Sequence, residues 1–436
     1  MGLFSPSWHK PNSLNVCICV DKLPILARAA KHGFLWPIAK GLAERGHKVT
    51  ILSWRNPLGK KEIIEGNVRA FFLGEGLFRD PDAFPKMIEE KFRELHAEEP
   101  FDIVHSVDPS GFTLARRKKD YNFAVAFDVE ATHMPEIFAL LGIIPEHLRG
   151  QIFSGLHVAW TFVKYFLLRD RRILSVSDGV FVTSPQQRLA LERYYLYPDQ
   201  RTYTIPYGIE ITNMEQREQS ESLRQKLNLP GNAHTVVTIS DMQRVDEMVH
   251  ILRAFEKVAI KKPSARLIVV GNGPMQKDIE REMLMLALGS KVIFTGAVRN
   301  TEIPDYIALS DIFINISSRS SGFEPSLLEA MAQKKVIIGS EVSPISTIVD
   351  DGVDGFLVRP ADTLTMSTLM IQIFNGLIGV EAMGGRARKK VTEIFDLQHM
   401  VTQTLNAYFD IMKNSSQVHF RRPTAPTKAA ASLKSN

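Results

Sequence analysis

Cysteine is almost missing from this chain, which has only Cys17 and Cys19 among its 436 residues. The two thiols are one residue apart in a short apolar run, so a disulfide framework like that of small secreted proteins is excluded. We expect both to be buried, free thiols of the core. Two unpaired cysteines also suit a reducing compartment, and we therefore expect a cytoplasmic protein.

Long apolar runs are rare as well. The first 13 residues are polar and contain proline, so they lack the apolar segment of a secretory signal. The most apolar stretch, residues 152–168, is only 17 residues long and contains His157 and Lys164. That length is marginal for crossing a bilayer, and we predict a buried or interfacial helix there instead.

A broad excess of one charge is also missing. The formal net charge is +5 at pH 7, but residues 411–436 hold five basic residues and no acidic one, so residues 1–410 sum to zero. A neutral body lacks the wide positive face that binding to a nucleic-acid backbone needs, and we expect no nucleic-acid partner. Zinc-site spacing, a Walker phosphate loop and a Ser-His-Asp signature are absent, and we interpret the Asp80-Pro81-Asp82 segment as a turn.

The most informative stretch that is present runs from residue 311 to residue 340. The β-branched run 311–316 and the run 336–338 predict two buried strands. Between them lie a glycine turn at Gly322 and a helix that begins at Pro325, where the missing N–H of proline costs nothing. This unit places a helix N-terminus at the carboxyl edge of a parallel sheet, where phosphate-bearing ligands bind favourably.

Strands and helices alternate in the same way along both halves of the chain, which predicts an α/β protein with two doubly wound series. The strands expected in the first half are 15–20, 46–52, 102–106, 124–128, 178–184 and 204–209. The segments expected to form the second series are 235–239, 267–274, 292–296, 307–316 and 336–338.

Gly322-Phe323, followed by Leu328-Glu329-Ala330-Met331-Ala332, resembles the donor-site motif of family-4 glycosyltransferases, which are retaining, nucleotide-sugar-dependent enzymes. The resemblance extends to about Phe409 and is densest from 265 to 360. It implies the GT-B architecture, in which two Rossmann-like domains face each other across a cleft. The implied parts are an acceptor-side domain at 1–210, a linker at 211–233, a donor-binding domain at 234–396 and a helix at 397–413 that crosses back to the first domain.

Residues 414–436 are too poor in apolar side chains to fold alone, and we expect a disordered basic tail.

The resemblance also implies a nucleotide-sugar site. Glu329 takes the place of the glutamate that meets the ribose of the donor; the alternative is an ordinary crossover helix with Glu329 on a solvated face. The amides of Gly322 and Phe323 would hold the phosphates. The first glutamate of the family motif falls on Ser321, while Glu324 stands where a small residue is usual and is a candidate catalytic residue. The glycines expected to let backbone approach the donor are Gly33, Gly271 and Gly273.

On the acceptor side, the resemblance places Glu130, or alternatively Asp128, where the family has a histidine that faces the sugar. A buried carboxylate there could act as a base toward the acceptor hydroxyl. A loop carboxylate that forms a cap is an equally good interpretation.

The resemblance, with Ala254-Phe255 aligned on the family's helix, places Asp241 and Asp246 where the family has the arginine and lysine that grip the donor diphosphate. Two charges 4 Å apart interact by about 4 kcal/mol at an effective dielectric constant of 20, so these carboxylates would repel a diphosphate. Either the loop turns both aspartates outward and Arg244 inward, or no nucleotide sugar binds. We expect the first arrangement, with Arg244 and Arg319 as the replacement cations.

The function implied is that of a hexosyl-type glycosyltransferase that uses a nucleotide-sugar donor and a glycan or lipid-linked acceptor, without a cofactor or a metal. The alternative is a non-catalytic relative that serves as a binding or scaffold protein. The basic run 116–119 and the apolar insertion 135–174 are interpreted either as ordinary surface and core or as a contact with an anionic membrane. In the latter case the protein would be peripheral at the inner face of the membrane.

Overall fold

The structure is a computed structural model, and the residues it describes are 10–25, 33–56, 59–75, 82–129, 132, 160, 164, 169–211, 217–317, 325–342 and 344–420, with side chains to residue 415. Two doubly wound α/β domains are present, as the sequence predicts.

The first domain is built on an eight-stranded sheet in the order β3-β4-β2-β1-β5-β6-β7-β8. All neighbouring strands are parallel except β3, which is antiparallel to β4. The central strands are buried along their whole length, which is why they appear in the sequence as continuous apolar runs. The strands are β1 Asn15–Cys19, β2 Lys48–Ser53, β3 Glu62–Glu65, β4 Val68–Phe72, β5 Ile103–Ser106, β6 Ala124–Asp128, β7 Gly179–Val182 and β8 Thr202–Thr204.

The second domain has a six-stranded parallel sheet in the order β11-β10-β9-β12-β13-β14. The strand order reverses between β9 and β12, and ligands of such sheets bind outside the carboxyl ends of the strands at this point. The strands are β9 Thr235–Ile239, β10 Arg266–Val270, β11 Val292–Phe294, β12 Ile312–Asn315, β13 Val336–Ser340 and β14 Phe356–Val358.

Helices cover the faces of both sheets. In the described residues the α-helices are α1 Leu35–Glu44, α2 Ala83–Glu98, α3 Phe112–Arg116, α4 Lys118–Tyr121, α5 Arg171–Val176, α6 Pro185–Tyr195, α7 Glu221–Lys226, α8 Val245–Lys261, α9 Gln276–Met285, α10 Ile303–Ala308, α11 Pro325–Ala332, α12 Ile345–Ile348, α13 Thr363–Phe374, α14 Val380–Ile394 and α15 Leu397–Phe420. Short 3-10 turns occupy Pro109–Gly111, Asp199–Arg201 and Gly289–Lys291.

The C-terminal helix α15 packs on the first domain. Its N-terminal end is tied there by backbone hydrogen bonds that Ile209 exchanges with Phe395 and Leu397, at 2.9 and 2.8 Å. A Cβ atom on Gly41 of α1 would lie 2.5 Å from Cγ2 of Val401, so glycine is needed for this close approach of the two helices. The helix therefore belongs to the core of the first domain.

One boundary differs from that predicted. Helix α15 continues to Phe420, so residues 414–420, expected in the disordered tail, are helical, and residues 421–436 lie outside the described residues. The polar linker contains helix α7, which is capped by Ser220, whose Oγ accepts a hydrogen bond from Leu223 N.

Cys17 and Cys19 are buried and free, as predicted. Burial raises the pKa of the Cys17 thiol well above its usual value, which keeps it neutral. No helix among the described residues is both long enough and apolar enough to span a bilayer. Most of the apolar insertion, including residues 152–159, lies outside those residues.

Part of the basic run at 116–119 is held by carboxylates of the protein itself. Arg117 lies 2.5 Å from Glu89, and Lys118 lies 2.6 Å from Asp178. Two of its four basic residues are therefore engaged within the first domain, which favours the interpretation of this run as ordinary surface.

Candidate functional site

A chain of three buried side chains reaches the carboxyl edge of the first sheet. His105 on β5 lies with its Nε2 2.9 Å from Oδ1 of Asp128, the last residue of β6. The other ring nitrogen, Nδ1, lies 2.8 Å from the hydroxyl of Tyr408 on α15. The polar chain therefore runs from the C-terminal helix, through the core, to a carboxylate at the sheet edge.

The second oxygen of that carboxylate is unpaired. The side chain of Asp128 is only 6% exposed, so its Oδ2 is shielded from solvent. This oxygen nevertheless has no hydrogen-bond partner among the described residues. Buried carboxylate oxygens nearly always have a partner, so this one is suited to a ligand that donates a hydrogen bond. Among the described residues the hydrogen-bond partner of Asp128 is the His105 ring.

Asp128 lines a small recess together with residues from four other elements of the first domain and from α15. On one side Phe34 and Tyr207 stack with their ring centroids 3.9 Å apart. On another lies Thr404 of α15, whose buried Oγ1 also has no partner within the described part of the chain. An aromatic pair and two buried, unpaired oxygens thus border the same small recess.

The second domain presents glycine-rich backbone at the carboxyl edge of its sheet. Gly271 follows β10 with φ +119°, and a Cβ there would lie 2.1 Å from the carbonyl oxygen of Ser240. A Cβ on Gly273 would lie 1.8 Å from the carbonyl oxygen of Asp241. Both glycines thus let the loop after β10 touch the loop after β9, which is the loop that carries Arg244.

In the loop after β9 and at the start of α8, Asp241 and Asp246 are both exposed, and so is Arg244. Its guanidinium pairs with Asp246, which lies in the first turn of α8. The hydrogen bonds from Arg244 hold the pKa of Asp246 below its usual value.

Glu329 is buried, with 2% of its surface exposed, in a helix α11 whose eight residues are all buried. The alternative that placed Glu329 on a solvated helix face is therefore wrong. Helix α11 begins at Pro325, as predicted, at the carboxyl edge of β12 and next to α14.

A second buried carboxylate, Glu247, was not identified from the sequence. It lies in the first turn of α8 and is 8% exposed, and the hydroxyl of Ser317, just after β12, donates to its Oε1 at 3.4 Å. A signal was available: Glu247 falls at helical spacing with the buried Ile251, Phe255 and Val258.

The other predicted site residues are placed as follows. Gly33 is buried in the turn before α1. Glu130, Arg319, Ser321, Gly322, Phe323 and Glu324 lie outside the described residues. Within the described ranges no group of three or more His, Cys, Asp or Glu side chains is arranged to hold a metal ion.

Comparison with protein families gives two matches that follow one another along the chain. Residues 34–208 match the glycosyl transferase 4-like domain, and residues 233–375 match glycosyl transferases group 1. Together these matches cover most of both Rossmann-like domains.

Curated relatives are similar over a part of their length. N-acetyl-alpha-D-glucosaminyl L-malate synthase of Bacillus anthracis is 28% identical over 192 residues, 44% of this chain and 49% of that protein. Alpha-monoglucosyldiacylglycerol synthase of Streptococcus pneumoniae is 28% identical over 142 residues, 32% of each chain. The matched region thus spans half or less of the length of these relatives.

Among solved structures, sucrose-phosphate synthase from Thermosynechococcus elongatus aligns with a TM-score of 0.70 and 18% identity. The alignment covers 94% of this chain and 100% of that one. At this identity the likeness concerns the fold, and its coverage is large enough to include both domains.

Proposed function

Because the chain belongs to the family-4 glycosyltransferases of the GT-B fold, we propose that it transfers a hexosyl group from a nucleotide sugar to a hydroxyl of a glycan or lipid-linked acceptor, with retention. The bond between the anomeric carbon and the diphosphate oxygen breaks, and a bond from that carbon to the acceptor oxygen forms. The nucleoside diphosphate leaves with the electron pair of the broken bond. The acceptor hydroxyl gives up its proton, first to a carboxylate and then to solvent.

The observation that carries this proposal is Oδ2 of Asp128. It is a buried, unpaired carboxylate oxygen at the carboxyl edge of the first sheet. By the resemblance, Asp128 is one of two carboxylates, with Glu130, that fall near the family's residue that faces the sugar. In the proposed reaction Oδ2 accepts the hydrogen bond of the acceptor hydroxyl and then its proton. Glu130 and Glu324 remain the other candidates for carboxylate roles.

The donor would lie against the second sheet. In this proposal Glu329 bonds the ribose, and the amides of Gly322 and Phe323 with the N-terminus of α11 hold the diphosphate. Arg244 and Arg319 supply positive charge in place of the family's two cations. Gly271 and Gly273 act through the loop they support, because their contacts are with the backbone that leads to Arg244. Gly33 lets the protein backbone of the first domain come close to the donor.

A lipid-linked acceptor is one of the two acceptor classes in this proposal. Its support is the similarity to a relative whose name is alpha-monoglucosyldiacylglycerol synthase. The protein would then work at the inner face of a membrane. Arg117 and Lys118 are held by carboxylates, so we assign this contact to the apolar insertion 135–174 and not to the basic run.

A second candidate function is a non-catalytic binding or scaffold protein that kept the fold. The observation in its favour is the pairing of Arg244 with Asp246, which occupies a cation proposed for the donor. The two candidates differ in turnover: a pseudoenzyme releases no nucleoside diphosphate in the presence of any donor and acceptor.

The test is a panel of uridine, guanosine and adenosine diphosphate sugars, read by thermal shift and by release of nucleoside diphosphate. A donor at 100 times its Kd should stabilise the protein by about 2.7 kcal/mol. Asp128→Asn should keep that stabilisation while kcat falls by about 100-fold or more, the usual contribution of a positioned base. Asp199→Asn, on an exposed residue paired with Arg188, is the matched control and should behave as wild type.

If a donor stabilises the wild type but no acceptor of either class gives turnover, the enzyme proposal is rejected in favour of the pseudoenzyme. If no donor produces stabilisation or turnover, nucleotide-sugar binding itself is contradicted.

A further inference from the structure

We propose that Tyr408 and His105 are positioning residues for the acceptor carboxylate: the Tyr408 hydroxyl fixes the His105 tautomer, and His105 fixes Asp128 so that Oδ2 faces the recess. This inference rests on the proposed function, in which Asp128 meets the acceptor. It assigns a role at the acceptor site to the C-terminal helix, because Tyr408 lies on α15 and is 303 residues from His105 in the chain.

The positions of the hydrogen atoms in the hydrogen-bond chain Tyr408–His105–Asp128 follow from counting donors and acceptors. Burial and the charge of Asp128 raise the pKa of Tyr408 well above its usual value, so its hydroxyl keeps its hydrogen. The Nδ1 atom of His105 is the described partner of that hydroxyl. If Tyr408 donates to Nδ1, the hydroxyl hydrogen and the imidazole hydrogen both have an acceptor. If Nδ1 donates instead, the hydrogen of the Tyr408 hydroxyl is left without an acceptor among the described residues.

The tautomer decides what Asp128 can do. With Nδ1 accepting, the imidazole hydrogen is on Nε2 and is donated to Oδ1 of Asp128 at 2.9 Å. Oδ1 is thereby occupied, and Oδ2 is the oxygen left for a ligand. The opposite tautomer would set a lone pair of Nε2 against Oδ1, and the carboxyl group would have to carry a proton there, which removes the base.

The surroundings hold the ring in place. His105 is 3% exposed, and the ring of Phe181 meets it edge to face at a centroid distance of 4.8 Å. Tyr408 is fully buried, so neither hydrogen bond of the imidazole competes with solvent. In such a site the tautomer of a histidine is set by the partner of its second nitrogen, here the tyrosine hydroxyl.

The experiment combines a spectrum with kinetics. In ¹H–¹⁵N spectra of the full chain labelled at its 12 histidines, His105 is assigned by its loss in His105→Gln. Wild type should show the hydrogen on Nε2, and Tyr408→Phe should show a mixture of tautomers. In the same variant kcat should fall about tenfold, a part of the 10²–10⁴-fold contribution of a positioned base, with KM for the donor unchanged.

Tyr195→Phe is the matched control, because it also removes a buried tyrosine hydroxyl that donates to a carboxylate, Asp170 Oδ2, at 2.9 Å. It should leave the His105 signals and kcat unchanged. His105→Gln, whose amide nitrogen reaches the place of Nε2, should retain more activity than His105→Asn, and equal loss in both would contradict a specific role of the Nε2–H.

A wild-type hydrogen on Nδ1 would overturn the inference, as would wild-type kcat in a folded Tyr408→Phe. The tautomer is measured without substrate, so it still decides the inference if Tyr408→Phe does not fold. Absence of turnover in the wild type would instead count against the proposed function.

Discussion

Arg244 and Asp246 form a two-pronged ion pair across two residues of the chain, with Nε 3.0 Å from Oδ1 and Nη2 2.9 Å from Oδ2. The planar guanidinium and the carboxylate match each other in the geometry that also binds phosphate. A donor diphosphate that uses Arg244 would therefore have to displace Asp246. The side chains are 52% and 46% exposed, so water screens the pair and such displacement is feasible.

We predict from this pair that Asp246→Asn tightens donor binding by about two- to fivefold, the range expected for an exposed ion pair. Arg244→Ala should weaken binding by tenfold or more, since a charge-assisted hydrogen bond contributes about 1.5–3 kcal/mol. Isothermal titration of the donor measures both. Asp241→Asn is the control, because its Oδ1 accepts from the backbone of Gln243 and should matter little. Unchanged affinity in Arg244→Ala would remove Arg244 from the donor site.

Glu329 provides a second prediction. If its carboxylate bonds the ribose, Glu329→Gln should weaken nucleotide binding by about tenfold or more, because the charge-assisted part of about 1.5–3 kcal/mol is lost. Glutamine keeps the volume of a side chain that is 2% exposed, so the melting temperature of the free protein should change little. Calorimetric titration with a nucleoside diphosphate is the measurement. Equal affinity in the variant and wild type would make Glu329 a purely structural residue of α11.

Two adjacent glycines of α14 give opposite predictions for the same substitution. A Cβ on Gly384 would lie 2.2 Å from the carbonyl oxygen of Lys334, whereas a Cβ on Gly385 would meet nothing within 4 Å. Gly384→Ala should therefore destabilise the protein by about 1–3 kcal/mol through overpacking. Gly385→Ala should stabilise it by about 0.5–1 kcal/mol, because alanine is the better helix residue. Denaturant unfolding of both variants checks this, and a shared sign of the change would contradict the packing of α14.

The imidazole of His47 should make stability depend on pH. Burial, with Arg45 and Lys10 nearby, lowers the pKa of His47, and its Nδ1 accepts a hydrogen bond from Leu14 N at 3.0 Å. The unfolded chain, with a histidine pKa of about 6.5, therefore binds the proton more readily than the folded one. The stabilising effect of the neutral His47 imidazole is complete above pH 6.5. It is lost as the pH falls from 6.5 through the lowered pKa of His47 in the folded protein.

We therefore expect the melting temperature to fall between pH 7 and pH 5, and to fall less in His47→Asn, whose Oδ1 can accept the same N–H. His399→Asn, on an exposed histidine of α15, is the control and should keep the wild-type pH dependence. If the melting temperature falls with pH equally in wild type and in His47→Asn, other groups cause the loss of stability below pH 7.

Much of the fold could be predicted because its signals are local. The strand 235–239 and the helix that begins at Pro325 are confirmed, since buried parallel strands and a proline-initiated helix leave a mark in a few neighbouring residues. The β3–β4 hairpin was missed. Its edge strand, Glu62–Glu65, has four residues with charged ends and no buried position, so no apolar pattern indicates it.

The site was harder to predict because its contacts are distant in sequence. Asp128 was one of two candidates by position, with Glu130, and its link to His105 and Tyr408 joins three elements that only the tertiary fold brings together. The side-chain direction of Arg244 depends on competition between Asp246 and the sheet edge, which charge alone does not decide. The burial of Glu329 likewise depends on the elements packed around α11, among them α14 and α10, and not on its own helix alone.

The position of α15 also sets an order of events during synthesis. A Cβ on Gly179 would lie 2.5 Å from Cδ1 of Ile411, and both Ile411 and Tyr408 are buried among residues of the first domain. Both residues follow the whole second domain in the chain, so during synthesis the first domain keeps an open seam beside β6 and β7 until α15 has also been made. The first domain is thus completed only after the second domain has been synthesised.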